Sequence, residues 1–118
     1  MSSIAYEKAF SFALDIISLY KYLTIREKEY ILSKQVLRSG TSIGANIKEG
    51  IQGQSKKDFL SKISIALKEA EETEYWIQLL KHSNYIDEKT ASSLLKNCKE
   101  VIKILVNTIK TTKANLEI

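Results

Sequence analysis

The sequence predicts an all-α protein, an antiparallel four-helix bundle with up-down-up-down order. Three observations support this prediction: proline is absent, four segments carry apolar residues at helical spacing, and the connections between those segments are short. Helix interiors exclude proline, whereas loop-rich and sandwich folds use it in their turns. The chain has 118 residues, and we expect residues 1–118 to form a single domain around one hydrophobic core.

The first two helices are predicted at about residues 4–24 and 27–51. Apolar residues recur there three or four positions apart, which places them on one side of a helix. Ser2 or Ser3 can cap the start of the first helix. The two apolar stripes consist of Ala5, Ala9, Phe12, Ala13, Ile16, Tyr20 and Leu23, and of Leu32, Val36, Gly40, Ile43 and Ile47.

All four glycines of the chain fall within the second helix or just after it. Gly50 and Gly53 are interpreted as ending this helix, because glycine adopts the left-handed conformation without steric cost. Gly40 and Gly44 lie one turn apart in the helix interior, where each costs roughly 1 kcal/mol relative to alanine. We expect the close approach of another backbone, or room for a bulky side chain, to offset that cost.

The third and fourth helices are predicted at about residues 55–83 and 87–112. Ser55 and Asp87 occupy their N-cap positions. Because the connections are short, consecutive helices are expected to be antiparallel neighbours. The two apolar stripes consist of Phe59, Ile63, Ala66, Leu67, Ala70, Ile77 and Leu80, and of Ala91, Leu94, Leu95, Cys98, Val101, Ile102, Leu105 and Ile109.

Charge and cysteine content restrict the class of protein. The net charge of +4 permits contact with nucleic acid without requiring it. Cys98 is the only cysteine, so no internal disulfide bond can form. No stretch is long and apolar enough to span a membrane, and the first residues lack the pattern of a signal peptide. We therefore expect a cytoplasmic protein with no membrane partner.

Residues suited to catalysis are sparse. His82 is the only histidine and is interpreted as a capping or surface residue, and Cys98 as a core residue. The run Glu69–Glu74 is the one constellation that could hold a metal ion, as acidic pairs do in all-α nucleotide pyrophosphatases. Those enzymes need a second acidic pair, for which the candidates are scattered: Asp15, Glu49 and Glu100. We expect no enzyme activity, cofactor or metal, with a metal-dependent nucleotide hydrolase as the remote alternative.

Four lysines of the fourth helix share one side. At 3.6 residues per turn they fall within about 60° of one another, beside the apolar stripe. A row this regular can follow the phosphates of a nucleic acid. An ordinary solvated helix face explains the same pattern, and both interpretations stay open. The candidate nucleic-acid-binding residues are Lys96, Lys99, Lys103 and Lys110.

A polar patch is predicted between the second and third helices. Polar residues three or four positions apart share one flank of the second helix, and Glu72 and Thr73 interrupt the stripe of the third. Antiparallel packing would bring Arg38 and Glu72 together in a charge-assisted pair. Loss of Glu72 would then strand a buried arginine and cost several kcal/mol. The predicted buried network consists of Arg38, Ser42, Asn46, Glu49 and Glu72.

The segment from Arg38 to Gly50 carries a family resemblance. Its sequence, RSGTSIGANIKEG, is similar to the pattern R-x-x-x-S-I-P-x-N-I-x-E-G of the 23S rRNA intervening-sequence proteins, also called S23 ribosomal proteins. Gly44 stands where proline is common in that pattern. The following QSKKDFLSKISIALKEAEETEYWI resembles the third helix of the family, and SNYIDEKT its third turn. The resemblance thus covers essentially the whole chain.

The resemblance implies an all-α bundle that forms a cyclic homopentamer and has no enzyme activity. The first members of the family are encoded within insertions in 23S rRNA genes. A related branch, the accessory variability proteins of diversity-generating retroelements, binds nucleic acid and a reverse transcriptase. Independently of the family, the wide apolar face of the first helix suits a subunit interface, as do Tyr75 and Leu79 of the third.

Two functional hypotheses follow. The first is a non-catalytic, oligomeric helical scaffold that binds structured RNA or DNA through its lysine rows, without reading the bases. The second is a protein–protein adaptor in which the lysine row has no role. The salt dependence of nucleic-acid binding distinguishes the two, because lysine–phosphate contacts weaken steeply as salt rises.

Overall fold

Four long helices make up nearly all of the chain in a computed structural model that describes residues 3–117. They are α1 (Ile4–Ile25), α2 (Leu32–Ile51), α3 (Lys56–His82) and α4 (Glu88–Leu116). Within the described residues no strand occurs, so the predicted all-α class is confirmed. The molecule is elongated along the helices and measures 51 × 21 × 21 Å.

Each helix packs against two others. The order around the bundle is α1, α2, α3, α4 and back to α1, and in residues 3–117 the backbones of the diagonal pairs do not approach each other closely. Between α2 and α3, Arg38 meets Glu72 whereas Glu49 meets Lys62, so positions rise along one helix as they fall along the other. Contacts of this kind are compatible with the predicted up-down-up-down order.

The core is built from the predicted apolar stripes of all four helices. Its largest fully buried side chains come from all four helices, so each helix contributes one apolar side to a single shared core. These side chains are Phe12, Ile16 and Leu23 of α1, Val36, Ile43 and Ile47 of α2, Ile63, Ile77 and Leu80 of α3, and Val101 and Leu105 of α4.

The predicted N-caps are found where the sequence places them. The side chains of Ser3, Ser55 and Asp87 each accept a hydrogen bond from the backbone N–H three residues later, at 3.1, 3.0 and 2.7 Å. Ser2, the other candidate cap of α1, lies outside the described residues. At the far end, α4 continues to Leu116, past the predicted end at about residue 112.

The second helix begins later than predicted, at Leu32 instead of about residue 27. The chain turns at Lys28, which adopts a positive φ of 56°. Glu29, only 9% exposed, then folds its carboxylate back over the start of α2. The carboxylate accepts hydrogen bonds from the backbone N–H groups of Ile31, Leu32 and Ser33, at 3.2, 2.9 and 2.7 Å. This side-chain cap satisfies donors that the first turn of a helix leaves free.

Glu29 should make the stability of the bundle depend on pH. Burial raises the pKa of this carboxyl group, but the hydrogen bonds from Leu32, Ser33 and Ile31 lower it more, so the net pKa lies below its ordinary value of 4.5. A lowered pKa stabilises the fold above 4.5 and loses that contribution as the pH falls through the folded-state pKa.

We expect Glu29→Gln to lose about 1 kcal/mol at neutral pH, as for loss of a helix cap. The difference from the unmodified protein should shrink as the solution is acidified, because both side chains are then uncharged. Urea denaturation followed by circular dichroism at several pH values measures this difference. A difference that stays constant down to strongly acidic pH would contradict the assigned cap.

Glycine does not end α2 in the way predicted. Neither Gly50 nor Gly53 has a positive φ, and in the described residues the positive values belong to Lys28 and Asn84. Gly50 instead allows close packing, because a Cβ atom there would lie 3.1 Å from Cβ of Lys62 on α3. The left-handed backbone conformation occurs instead after α3, where Asn84 has a φ of 67°.

No helix within residues 3–117 combines the length and hydrophobicity needed to cross a lipid bilayer.

Candidate nucleic-acid interface

The candidate lysines lie on the outward side of α4. Cys98, Val101 and Leu105 turn the opposite side of this helix into the core, where all three are buried. Half-buried Leu95 and Ile102 separate that buried side from the lysines. Because helical periodicity keeps the outward positions aligned, all four side chains face solvent together. The exposed residues are Lys96, Lys99, Lys103 and Lys110.

None of these four lysines forms an ion pair with another described residue. Glu100 lies on the same surface, but its carboxylate pairs with Nζ of Lys8 on α1 at 3.7 Å. Elsewhere Lys62 and Lys81 are paired with Glu49 and Glu88. No described residue therefore neutralises the charges of the α4 row, which can meet an external anion.

Three of the four lysines line a shared groove. Lys96, Lys99 and Lys103 border a shallow depression of about 520 Å³ together with Ser92, Leu95 and Glu100. Lys110 lies two helical turns beyond Lys103 and outside this groove. The apolar part of each lysine stem can pack beside Leu95 while its ammonium group stays in water.

The sequence reasoning missed one member of the row. Lys89 is exposed in the first turn of α4 and stands seven residues before Lys96. Positions 89, 96, 103 and 110 are therefore equally spaced along the helix. The seven-residue interval was the available signal. Lys89 also borders a cleft of about 660 Å³ between α1 and α4, where Asp15 accepts a hydrogen bond from Asn97 at 3.4 Å.

The prediction that the polar network is buried is wrong. Arg38 and Glu72 do meet, with 3.4 Å between Nη2 and Oε2, but their side chains are 62% and 35% exposed. Glu72 also accepts a hydrogen bond from Nε1 of Trp76 at 3.0 Å. Both charged side chains are long enough to leave the bundle and stay hydrated, so burial is not forced on them.

The other three members of the predicted network are not joined to that pair. Ser42 donates to the backbone carbonyl of Arg38 at 2.6 Å, and Asn46 donates to the carbonyl of Ser42 at 2.9 Å, both within α2. Exposed Glu49 pairs with Lys62 at 2.9 Å. Local bonds to the helix backbone satisfy the short polar side chains, which removes the need for a network across helices.

The polar contact that does lie inside the bundle is one residue away. Ser39 and Thr73 are fully buried between α2 and α3, with 2.8 Å between their hydroxyl oxygens. The Thr73 hydroxyl also lies 2.7 Å from the backbone carbonyl of Glu69. Ser39 can thus donate to Thr73 and Thr73 to Glu69, so that both hydroxyl groups are satisfied without any charge.

Comparison with known proteins now identifies the family. A model of the 23S rRNA-intervening sequence protein family matches residues 1–107 of the chain. The chain belongs to this family. It is also similar to a crystal structure from Bacteroides thetaiotaomicron, of a protein of unknown function from the S23 ribosomal protein family. The two share 48% sequence identity and a TM-score of 0.89, over 91% of this chain and 96% of that one. No curated protein matches.

The single cysteine and the single histidine of this family member lie in different surroundings, one in the core and the other at the end of α3. Cys98 is buried and its Sγ lies 3.3 Å from the carbonyl of Ala70. Burial raises the pKa of its thiol to about 12, so the nucleophilic thiolate is scarce at neutral pH. His82 is exposed as the last residue of α3.

Within residues 3–117, the scattered acidic candidates do not join the acidic run of α3 in one cluster. Of the three candidates, Glu49 pairs with Lys62, Glu100 with Lys8, and Asp15 with Asn97. Residues 3–117 contain no group of three potential ligands placed to hold a metal ion.

The outer face of α1 carries large apolar side chains in water. Phe10 and Leu14, one turn apart, are 55% and 54% exposed, and on α3 Tyr75 is 56% exposed. Leu79, the other predicted interface residue of α3, is half-buried. Tyr75 stacks edge-on against Trp76, with ring centroids 5.0 Å apart. Exposed apolar patches of this kind usually mark association with another protein surface.

Proposed function

We propose that this intervening-sequence protein is a non-catalytic helical scaffold that binds structured RNA or DNA through the lysines of α4. One observation carries the proposal: lysines aligned along one exposed helix face have no ion-pair partner in the described chain. An unpaired row of cations attracts a polyanion, and binding gains free energy as counterions leave the phosphates.

The contacts of this surface suit phosphates and not bases. Lysine presents a compact, mobile point charge, which suits phosphates, whereas the planar groups of arginine, asparagine and glutamine give fixed bidentate contacts to base edges. The groove holds Lys96, Lys99 and Lys103 with Ser92, Leu95 and Glu100, and none of these carries a guanidinium or carboxamide group. The proposed binding is therefore independent of sequence.

The proposal includes self-association, as a cyclic homopentamer of the kind that the family resemblance implies. The exposed side chains of Phe10 and Leu14 support an α1 interface, because water-exposed apolar surface gains free energy when a second copy covers it. Symmetry would then repeat the lysine row once per subunit and raise the avidity for a long polyanion. The single cysteine, buried Cys98, cannot form an internal disulfide bond, and a chain without disulfide bonds supports a cytoplasmic location.

Charge reversal tests the proposal directly. We expect Lys99→Glu with Lys103→Glu to weaken the binding of a fluorescent RNA hairpin or DNA duplex by at least about tenfold at low salt. Four contacting lysines predict a slope of log affinity against log salt of about −4, and two lost contacts reduce its magnitude by about 2. Fluorescence anisotropy measures both, and light scattering gives the subunit number in the same samples.

The matched control is Lys57→Glu with Lys68→Glu. These α3 lysines are also exposed and unpaired in the described chain, so the net charge changes equally while the α4 face is untouched. Binding should stay close to that of the unmodified protein. Equal losses of affinity in the two double variants would mean that net charge alone governs binding, and would contradict the role assigned to α4.

A protein–protein adaptor is the second candidate function. The exposed Arg38, Tyr75 and half-buried Trp76 favour it, because arginine, tyrosine and tryptophan are the residue types enriched at interface hot spots. Failure to bind RNA or DNA at low salt would leave this candidate in the lead. Co-purification from the native host, analysed for both RNA and protein, distinguishes the two functions in one experiment.

A further inference from the structure

The exposed lysines of α4 form a nearly straight line that extends beyond the groove of Lys96, Lys99 and Lys103. Lys89, Lys96, Lys103 and Lys110 are all exposed and recur every seven residues along the uninterrupted helix α4. Seven residues rise about 10.5 Å, so the line spans about 31 Å from end to end. Its direction drifts by only about 20° per interval, because seven residues nearly complete two turns.

The same helix lacks the means to hold unpaired bases. From Glu88 to Leu116, α4 contains no phenylalanine, tyrosine or tryptophan. Surfaces that hold single-stranded nucleic acid combine positive charge with aromatic side chains on which bases stack, and each stacked base contributes about 1–3 kcal/mol. The one exposed aromatic ring beside the line belongs to α1: Tyr22 borders the cleft next to Lys89, and its hydroxyl donates to Glu27 at 2.9 Å, within the described residues. The lysines of α4 thus have no row of stacking side chains along them.

We infer that the ligand of the α4 face is a double helix of RNA or DNA held along about one helical turn, with Lys89 and Lys110 as the end contacts. This inference rests on the proposed function and specifies its ligand. One turn of a B-form duplex is about 34 Å long, close to the length of the lysine line.

The rigidity of both partners favours a duplex. Fixed cations on a long helix meet a stiff duplex, with a persistence length of about 50 nm, without ordering it first. A flexible single strand loses conformational entropy when it is stretched along a row of lysines, and α4 has no aromatic side chain on which bases could stack to compensate for that loss. Phosphate contacts alone therefore discriminate in favour of the paired form.

The test uses labelled DNA and RNA duplexes from half a turn to two turns long, together with single strands carrying the same number of phosphates. Affinity per duplex should rise steeply until the length reaches about one turn and flatten beyond it. At one turn, the duplex should bind at least about tenfold more tightly than the single strand.

Variants at the ends of the line sharpen the test. We expect Lys89→Glu with Lys110→Glu to weaken binding of a one-turn duplex by about tenfold, and to affect a half-turn duplex much less, because the shorter probe reaches only the central lysines. Lys57→Glu with Lys68→Glu is again the control of equal charge. Circular dichroism verifies that each variant is folded.

The outcomes separate the two proposals. Single strands that bind as tightly as duplexes, or an affinity without a step near one turn, overturn the duplex inference while phosphate binding stands. Binding to none of the probes at low salt removes the proposed function and the inference with it.

Discussion

Replacing Gly40 with alanine is expected to destabilise the bundle, whereas the same change at Gly44, one turn later, is expected to stabilise it. A Cβ atom at Gly40 would lie 2.8 Å from both Cγ atoms of Ile16 and 3.2 Å from its Cβ. Ile16 is fully buried and cannot move aside, because these atoms lie next to its own backbone. At Gly44 the nearest atom, Cβ of Ala9, would be 3.7 Å away, an ordinary contact.

The two substitutions are expected to change the free energy of unfolding in opposite directions. Overpacking a core costs about 1–3 kcal/mol, and alanine returns about 1 kcal/mol of helix propensity. We therefore expect Gly40→Ala to lose up to about 2 kcal/mol net and Gly44→Ala to gain up to about 1 kcal/mol. Urea denaturation followed by circular dichroism measures both values in one series.

Ile16→Ala provides the control for this mechanism. In that background the Cγ atoms that obstruct position 40 are absent, so Gly40→Ala should no longer be destabilising. If the cost of Gly40→Ala were the same with and without Ile16, steric contact would not be its cause. Similar free-energy changes at positions 40 and 44 would also contradict the close approach of α1 to Gly40.

Thr73→Val is expected to destabilise the protein more than Glu72→Ala, although Glu72 carries the charge. Valine keeps the shape of threonine but removes the hydroxyl that lies 2.8 Å from Oγ of buried Ser39. The Ser39 hydroxyl then keeps only a long 3.4 Å contact to the carbonyl of Val36. A buried polar group left without a good partner costs about 1–3 kcal/mol.

Glu72→Ala should cost no more than about 1 kcal/mol, because exposed ion pairs contribute little. Arg38 is 62% exposed and stays hydrated without its partner, so no buried charge is stranded. The several kcal/mol that the sequence predicted for this change no longer apply. Thermal or urea unfolding of the two single variants orders them directly.

The double variant Ser39→Ala with Thr73→Val isolates the buried hydrogen bond. Removing both hydroxyl groups leaves no unsatisfied partner, so the pair should cost less than the sum of its single changes. Additive losses would mean that the two hydroxyls do not interact. A Glu72→Ala variant less stable than Thr73→Val would restore the buried ion pair predicted from sequence.

The pair of predictions also shows how far sequence reasoning reached. A buried polar contact was predicted between the correct helices, α2 and α3, in the correct orientation. It was assigned to Arg38 and Glu72, which meet at the surface, whereas the contact that is buried joins Ser39 and Thr73. Adjacent residues differ by about 100° around a helix axis. A one-residue error therefore exchanges a surface ion pair for a buried hydroxyl pair.

The candidate interface depended less on tertiary detail. The exposure of Lys96, Lys99, Lys103 and Lys110 follows from the apolar stripe of α4, since the side opposite a buried stripe must face solvent. Lys89 lies on the same side and was within reach of the same reasoning, through its seven-residue interval. The freedom of these lysines from ion pairs depended on which carboxylates neighbouring helices present, as with Glu100 and Lys8.

By itself, the sequence determined four helices, the N-caps Ser55 and Asp87, and the stripes that close into a core, because helical periodicity and capping are local properties of the chain. For the first helix it left Ser2 and Ser3 as alternative caps, and the structure has Ser3. The tertiary structure alone decided where α2 begins, which helical glycine lacks room for a Cβ atom, and which polar side chains enter the core. These depend on the rotation of each helix about its axis, and that rotation is set by neighbouring helices distant in sequence.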